Sequence, residues 1–93
     1  MSFYLKDPHS RVDYAFDWSA GYLDGQILSD SQWFVAPAET GGIDIDAESF
    51  DLGRAAATLT GGIPGHVYSV TNRVTLSDGR SDERSLTLRA EQR

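Results

Sequence analysis

The densest group of side chains able to hold a metal or move a proton lies in the stretch "IDIDAESFDL", residues 43–52. Asp44, Asp46 and Glu48 alternate with other residues, so on a regular extended backbone they share one face. Carboxylates in that pattern could contribute to a calcium site, which takes six to eight oxygen ligands, or to the acid–base pair of a glycosidase. The glycine-containing loop that wraps calcium is missing, and no cleft is signalled around the stretch. A solvated outer strand face accounts for these acids. The two histidines stand apart, His9 near the N-terminus and His66 beside a glycine-rich loop. No nucleophile-elbow motif supplies an activated serine or threonine. Cysteine is absent, which removes thiol catalysis, disulfides and cysteine-type zinc sites. "TGGIPG", residues 60–65, leads into a strand and so lacks the helix N-terminus that cradles phosphate. The residues predict no catalytic, metal-binding or cofactor-binding group.

A different pair of polar residues stands out by position. In "VYSVTNRVTLSDGRSDERSLTLR", residues 67–89, Asn72 and Arg84 occupy places where the alternation asks for core residues. A two-residue turn at Asp78-Gly79 would set apolar residues against polar ones along the whole hairpin. A three-residue loop, Ser77-Asp78-Gly79, instead pairs Tyr68 with Leu88, Val70 with Leu86, Asn72 with Arg84 and Val74 with Asp82. Directly opposed residues share a face, and a one-residue slip would invert it. The expected hairpin therefore has a type I turn with Gly79 left-handed in a bulge. Asn72 and Arg84 become inward neighbours, and Arg73 faces out. A buried arginine needs acceptors, and Asp13 or Asp17 in "VDYAFDWS" could supply a carboxylate; otherwise the stem packs and the head reaches water. Asn72, Arg84 and Asp17 form the expected polar clamp.

The elements that must place these residues are strands, because the periodicity is two over most of the chain. "RVDYAFDW" sets Val12, Tyr14, Phe16 and Trp18 on one face. "QILSDSQWFVAP" has Trp33 and Val35 in phase, and Pro37 ends it or marks an edge. In "IDIDAESFDL" the apolar phase slips, which predicts a bulge between Ala47 and Phe50. "AAATLT" turns Ala57 and Leu59 inward. A helix over residues 47–59 competes, but Gly53 sits in its middle and the apolar spacing makes no stripe. About seven short strands separated by turn signals predict an all-β, immunoglobulin-like antiparallel β-sandwich. Tyr68 follows a glycine-rich loop and precedes Val70 by two residues, the placing of a tyrosine corner. Phe34 is in the opposite phase to Trp33 and Val35, and Tyr22 lies outside the alternation; both are candidate interface residues.

Ninety-three residues make a single domain spanning 1–93, with residues 1–10 and 90–93 expected to fray. No run approaches the roughly 20 apolar residues of a membrane helix, and the first residues hold no signal-peptide apolar region. A net charge of −6 argues against duplex DNA as partner. Residues 1–53 carry ten acids and two bases, whereas residues 54–93 carry six arginines and four acids. Acidic and basic strands lying side by side would explain this. So would a protomer with one acidic and one basic face, suited to a head-to-tail homo-oligomeric ring.

"DYAFDWS", "ILSDSQWFV" and the hairpin, in that order and spacing, resemble the small tailed-phage and prophage proteins known as fiber-tail adaptors. The most specific residues are Thr71-Asn72-Arg73, Gly79-Arg80, Asp82, Arg84-Ser85 and Asp17-Trp18-Ser19. The acidic segment "IDIDAESFD" departs from the usual pattern. The resemblance implies an immunoglobulin-like structural protein of the virion, assembled in the bacterial cytoplasm with other head–tail or tail–fiber components as partners. It implies no enzyme activity, cofactor, nucleic acid or membrane. With it, outward-facing Arg73 becomes the first candidate for an intermolecular contact, joined by Phe34 and Tyr22. The alternative is a carbohydrate- or surface-binding, adhesin-like module that uses exposed aromatics.

Overall fold

The computed structural model describes residues 2–19 and 25–91, with side chains from residue 4 onward. Among the described residues there are seven strands and no helix: β1 (Ser2–Lys6), β2 (Val12–Asp17), β3 (Leu28–Ala36), β4 (Ile43–Phe50), β5 (Arg54–Gly61), β6 (Val67–Leu76) and β7 (Ser81–Ala90). They form two stacked sheets, one in the order β1-β7-β6-β3 and the other β2-β5-β4. The groups β7-β6-β3 and β2-β5-β4 match the two sheets of the immunoglobulin arrangement, with β1 transferred to pair parallel with β7.

The alternation works as expected. Val12, Tyr14 and Phe16 of β2 lie opposite Leu59, Ala57 and Ala55 of β5. Facing them across the sandwich are Tyr68, Val70, Val74, Leu86 and Leu88, all buried. The small Ala55 and Ala57 leave room for aromatics, in the large-against-small manner of close-packed interiors. Phe16 fills that room, stacked on Trp33 at 5.7 Å and edge-on to Trp18 at 6.4 Å.

The β6–β7 hairpin has the expected register, with Tyr68 opposite Leu88, Asn72 opposite Arg84 and Val74 opposite Asp82. Gly79 N–H donates to Leu76 O at 2.9 Å and Leu76 N–H to Arg80 O at 2.7 Å, closing the three-residue loop. Gly79 has φ +92°, which strains any residue carrying a Cβ. At the opposite end, a Cβ on Gly61 would lie 2.5 Å from Gly42 O, so two glycine-rich loops meet there backbone to backbone.

Three expectations are corrected. Within the segment 1–10, expected to fray, Ser2–Lys6 is a strand that pairs with Leu86–Ala90 of β7. The anchor is Lys6, 2% exposed, whose ammonium donates to Asp7 O, Ser10 O and Gly61 O at 3.0, 2.7 and 2.8 Å. Three acceptors use all three of its donors. Burial draws its pKa below the ordinary lysine value, and the neighbouring Asp7 pulls the other way. Ala90, expected to fray, is buried in β7; residues 92–93 lie outside the described residues. The β4 bulge falls between Ile45 and Ala47, earlier than expected. It puts Glu48 opposite inward-facing Ala57, while Asp44 stays opposite Thr60. Asp44, Asp46 and Glu48 therefore do not share a face, and Asp46 is tied to Arg11.

Candidate functional site: the two faces of the β3–β6–β7 layer

On the inner face, Trp18 is the hub. It follows β2, and its N–H and that of Ser19 both donate to Gly53 O, at 2.7 and 3.1 Å. This holds the indole against β6, where Nε1–H donates to Asn72 Oδ1 at 2.9 Å. Asn72 is fully buried, and its Nδ2 donates to Ser31 Oγ at 2.9 Å and Gln32 O at 3.0 Å. Both sides of the amide are thus satisfied, the condition for a polar group to sit in a core. The Arg84 guanidinium lies 4.3 Å from the centre of the Trp18 ring, within cation–π range.

Arg84 also donates from Nη1 to Asp17, but to its main-chain oxygen, at 3.1 Å. The Asp17 carboxylate accepts instead from Ser19, Oγ–H at 2.5 Å and N–H at 3.0 Å. Those bonds hold it below the usual carboxylate range, with Arg54 and Arg84 adding through their charge. Asp17, Asn72 and Arg84 are therefore brought together, with Trp18 as the link: Asn72 bonds its edge and Arg84 covers its face. Asp13 turns elsewhere, accepting from Thr58 Oγ1 at 2.5 Å. A neutral amide, an indole and an arginine on a ring offer no nucleophile and no general base. The cluster holds β2, β3, β6 and β7 in fixed relation.

Four residues back along β6, Tyr68 organises the other end. Its Oη accepts from Ile63 N–H at 3.0 Å, five residues upstream, and donates to Glu39 Oε1 at 2.6 Å. His66 Nδ1 meets the same oxygen at 2.9 Å. The hydrogen bonds from Tyr68 and then His66 hold the Glu39 carboxyl below its ordinary value. Burial, with the bond to Glu39, pushes the Tyr68 phenol up.

The outer face carries the candidate contact residues. Phe34 is 45% exposed. The Arg73 guanidinium lies 5.3 Å from its ring centre, while Arg73 donates from Nε and Nη2 to Glu83 Oε1 at 3.2 and 3.0 Å. In register with Phe34, Thr71 and Ser85 join their hydroxyls at 2.7 Å. Phe34 and Arg73 thus form one unit, as outward phase required. Tyr22 lies outside the described residues.

Sequence reasoning missed Trp18 as hub, Glu39 as the acceptor of Tyr68, and Lys6 as an anchor. "DWS" signalled the first; Glu39 and Lys6 carried no local signal. Among the described residues no group of three or more His, Cys, Asp or Glu is placed to hold a metal ion. No helix among them is long and apolar enough to cross a membrane. A family model described as podophage GP4 fiber-tail adaptor protein gp77 matches residues 6–89. No curated protein matches the chain.

Proposed function

The chain belongs to the podophage GP4 fiber-tail adaptor family, and on that premise we propose that it is a non-enzymatic binding module of the virion, docking onto tail or connector components through the outer face of its four-stranded sheet. The observation that carries this reading is the Phe34–Arg73–Glu83 unit. An exposed aromatic with an arginine already held on it by a carboxylate is a preorganised anchor, and aromatic and arginine side chains dominate binding energy at interfaces. The Trp18–Asn72–Arg84 cluster beneath keeps the sheet rigid, so little order has to be created on docking.

The test is binding of the purified chain to the tail and connector proteins of its phage, by calorimetry at two salt concentrations. Phe34→Ala with Arg73→Ala should weaken the complex about tenfold or more. Unchanged affinity in that double variant would remove the outer face from the reading. Saturable binding on a glycan array, lost in the same variant, would favour the adhesin-like alternative. Sedimentation of the chain alone tests for a ring of copies.

A further inference from the structure

The two outward faces of the sandwich differ in relief. On the four-stranded sheet, Phe34 stands among small neighbours, Thr71 and Ser85 in its own register row and Ala36 two positions along β3. With Arg73 on its ring it makes a knob, and Glu83 holds the arginine from the side. On the three-stranded sheet the central outward side chains are small. Ala15 lies opposite Ala56, and Ala56 opposite Ser49; one row on, Thr58 lies opposite Ala47. These residues floor a hollow of about 340 Å3, with Asp13 and Arg54 among its lining. Ala55, Ala57 and Leu59, on the inner side of β5, are buried, so the hollow is surface relief over a closed core.

Charge distinguishes this hollow from a bare patch of small residues. Asp13 accepts from Thr58 at Oδ1, and its Oδ2 takes no hydrogen bond among the described residues. Arg54, opposite Asp17, is exposed and has no ion pair among the described residues. The hollow thus has a carboxylate and a guanidinium with capacity to spare. The knob carries the same two signs, in Arg73 and Glu83. The face around the hollow is acidic as a whole. Asp13, Asp17 and Asp44 share it with Arg54, while Asp46 is tied to Arg11. An arginine-bearing knob from another copy suits that face.

We propose that the Phe34–Arg73 knob of one copy seats in the Ala15–Ala56–Ser49 hollow of a second copy. Phe34 then covers alanine methyls with its ring, which supplies most of the contact's strength. Arg73 meets Asp13 and Glu83 meets Arg54; such exposed pairs add little energy but fix orientation. Knob and hollow lie on opposite faces of one sandwich, so the contact is heterologous and its repetition joins copies head to tail. The contact rests on the reading of the outer face as the docking face, and names a second copy as the component docked there.

Sedimentation velocity of the full chain, up to millimolar concentration, reads the contact. Self-association should rise with concentration. Phe34→Ala with Arg73→Ala removes the knob, and Ala56→Phe fills the hollow; each should weaken association about tenfold or more. Asp13→Lys sets a like charge against Arg73 and should weaken it several-fold. The sharpest arm mixes the knob variant with the hollow variant. The first keeps a working hollow and the second a working knob, so the mixture should form a one-to-one pair and go no further. All these side chains face outward, and circular dichroism checks that the variants fold. A chain monomeric at every concentration, association that survives either the knob or the hollow variant or is unmoved by Asp13→Lys, or a mixture that fails to pair would overturn the proposal. A monomeric chain that still binds tail or connector proteins through Phe34 and Arg73 would also overturn it, while leaving the outer face as the docking face.

Discussion

Two buried side chains on β6, four residues apart, organise the two ends of the sandwich in different ways. Asn72 is closed in by neutral partners: an indole, a hydroxyl and a carbonyl. Tyr68 is equally buried, yet its hydroxyl reaches a partly exposed carboxylate that a histidine also meets. The first arrangement has nothing to titrate at its centre and no solvent to take over a lost bond. The second can fall back on water, and its strength depends on the charge of Glu39. A buried polar group is costly to orphan in proportion to how completely it is sealed. The Asn72 contacts should therefore dominate stability, and of these two side chains only Tyr68 should be acid-sensitive, through Glu39.

The comparison is broken or sharpened most strongly by Asn72→Leu. The apolar replacement keeps the bulk but leaves Trp18 Nε1–H without its acceptor, at a cost of about 3 kcal/mol in urea unfolding. Combining it with Trp18→Phe should recover part of that loss. Strict additivity would mean that the indole–amide bond contributes nothing. Tyr68→Phe removes the acceptor of Ile63 N–H while Glu39 turns to solvent, for a loss of about 1.5 kcal/mol. A loss as large as that of Asn72→Leu would erase the distinction between the ends. Arg84→Gln removes a charge from the face of Trp18 and should cost about 1 kcal/mol, since part of the side chain is in water. A melting temperature unchanged by it would make Trp18 and Asn72 sufficient on their own.

The finest test is pH. Hydrogen bonds from Tyr68 and His66 hold the Glu39 carboxyl below its ordinary value of 4.5. A carboxylate depressed on folding contributes stability that is present above its unfolded value and lost as pH falls through its folded value. Stability should therefore decline below about pH 4.5. Asp17, depressed by Ser19, and Asp78, depressed by Arg80, add to the same decline. Tyr68→Phe should make the decline shallower, and Asn72→Leu should leave its slope unchanged. The reverse pattern in a series of denaturant titrations would uncouple Tyr68 from the acid decline.

The hairpin shows how much a local pattern can carry. Its alternation and its Ser77-Asp78-Gly79 loop contain enough information to set Asn72 opposite Arg84, because a register error would turn every side chain to the wrong face. Pro37 likewise marked where β3 stops, after Ala36. The β4 bulge was legible only as a phase slip. Its position, between Ile45 and Ala47, depended on how β4 meets β5, and that small displacement is what sends Glu48 toward the gap between the sheets rather than out beside Asp44.

Alternation and turn chemistry already determine a layered, all-β molecule with Asn72 and Arg84 inside and Phe34 and Arg73 outside. These are properties of a residue and its near neighbours along the chain. The side of the sandwich on which β1 pairs, the three carbonyls around Lys6, and the choice of Asp17's main-chain oxygen over its carboxylate were decided by the tertiary structure. Each depends on which distant backbone is brought within about 3 Å, and a local pattern of side chains holds no record of that distance.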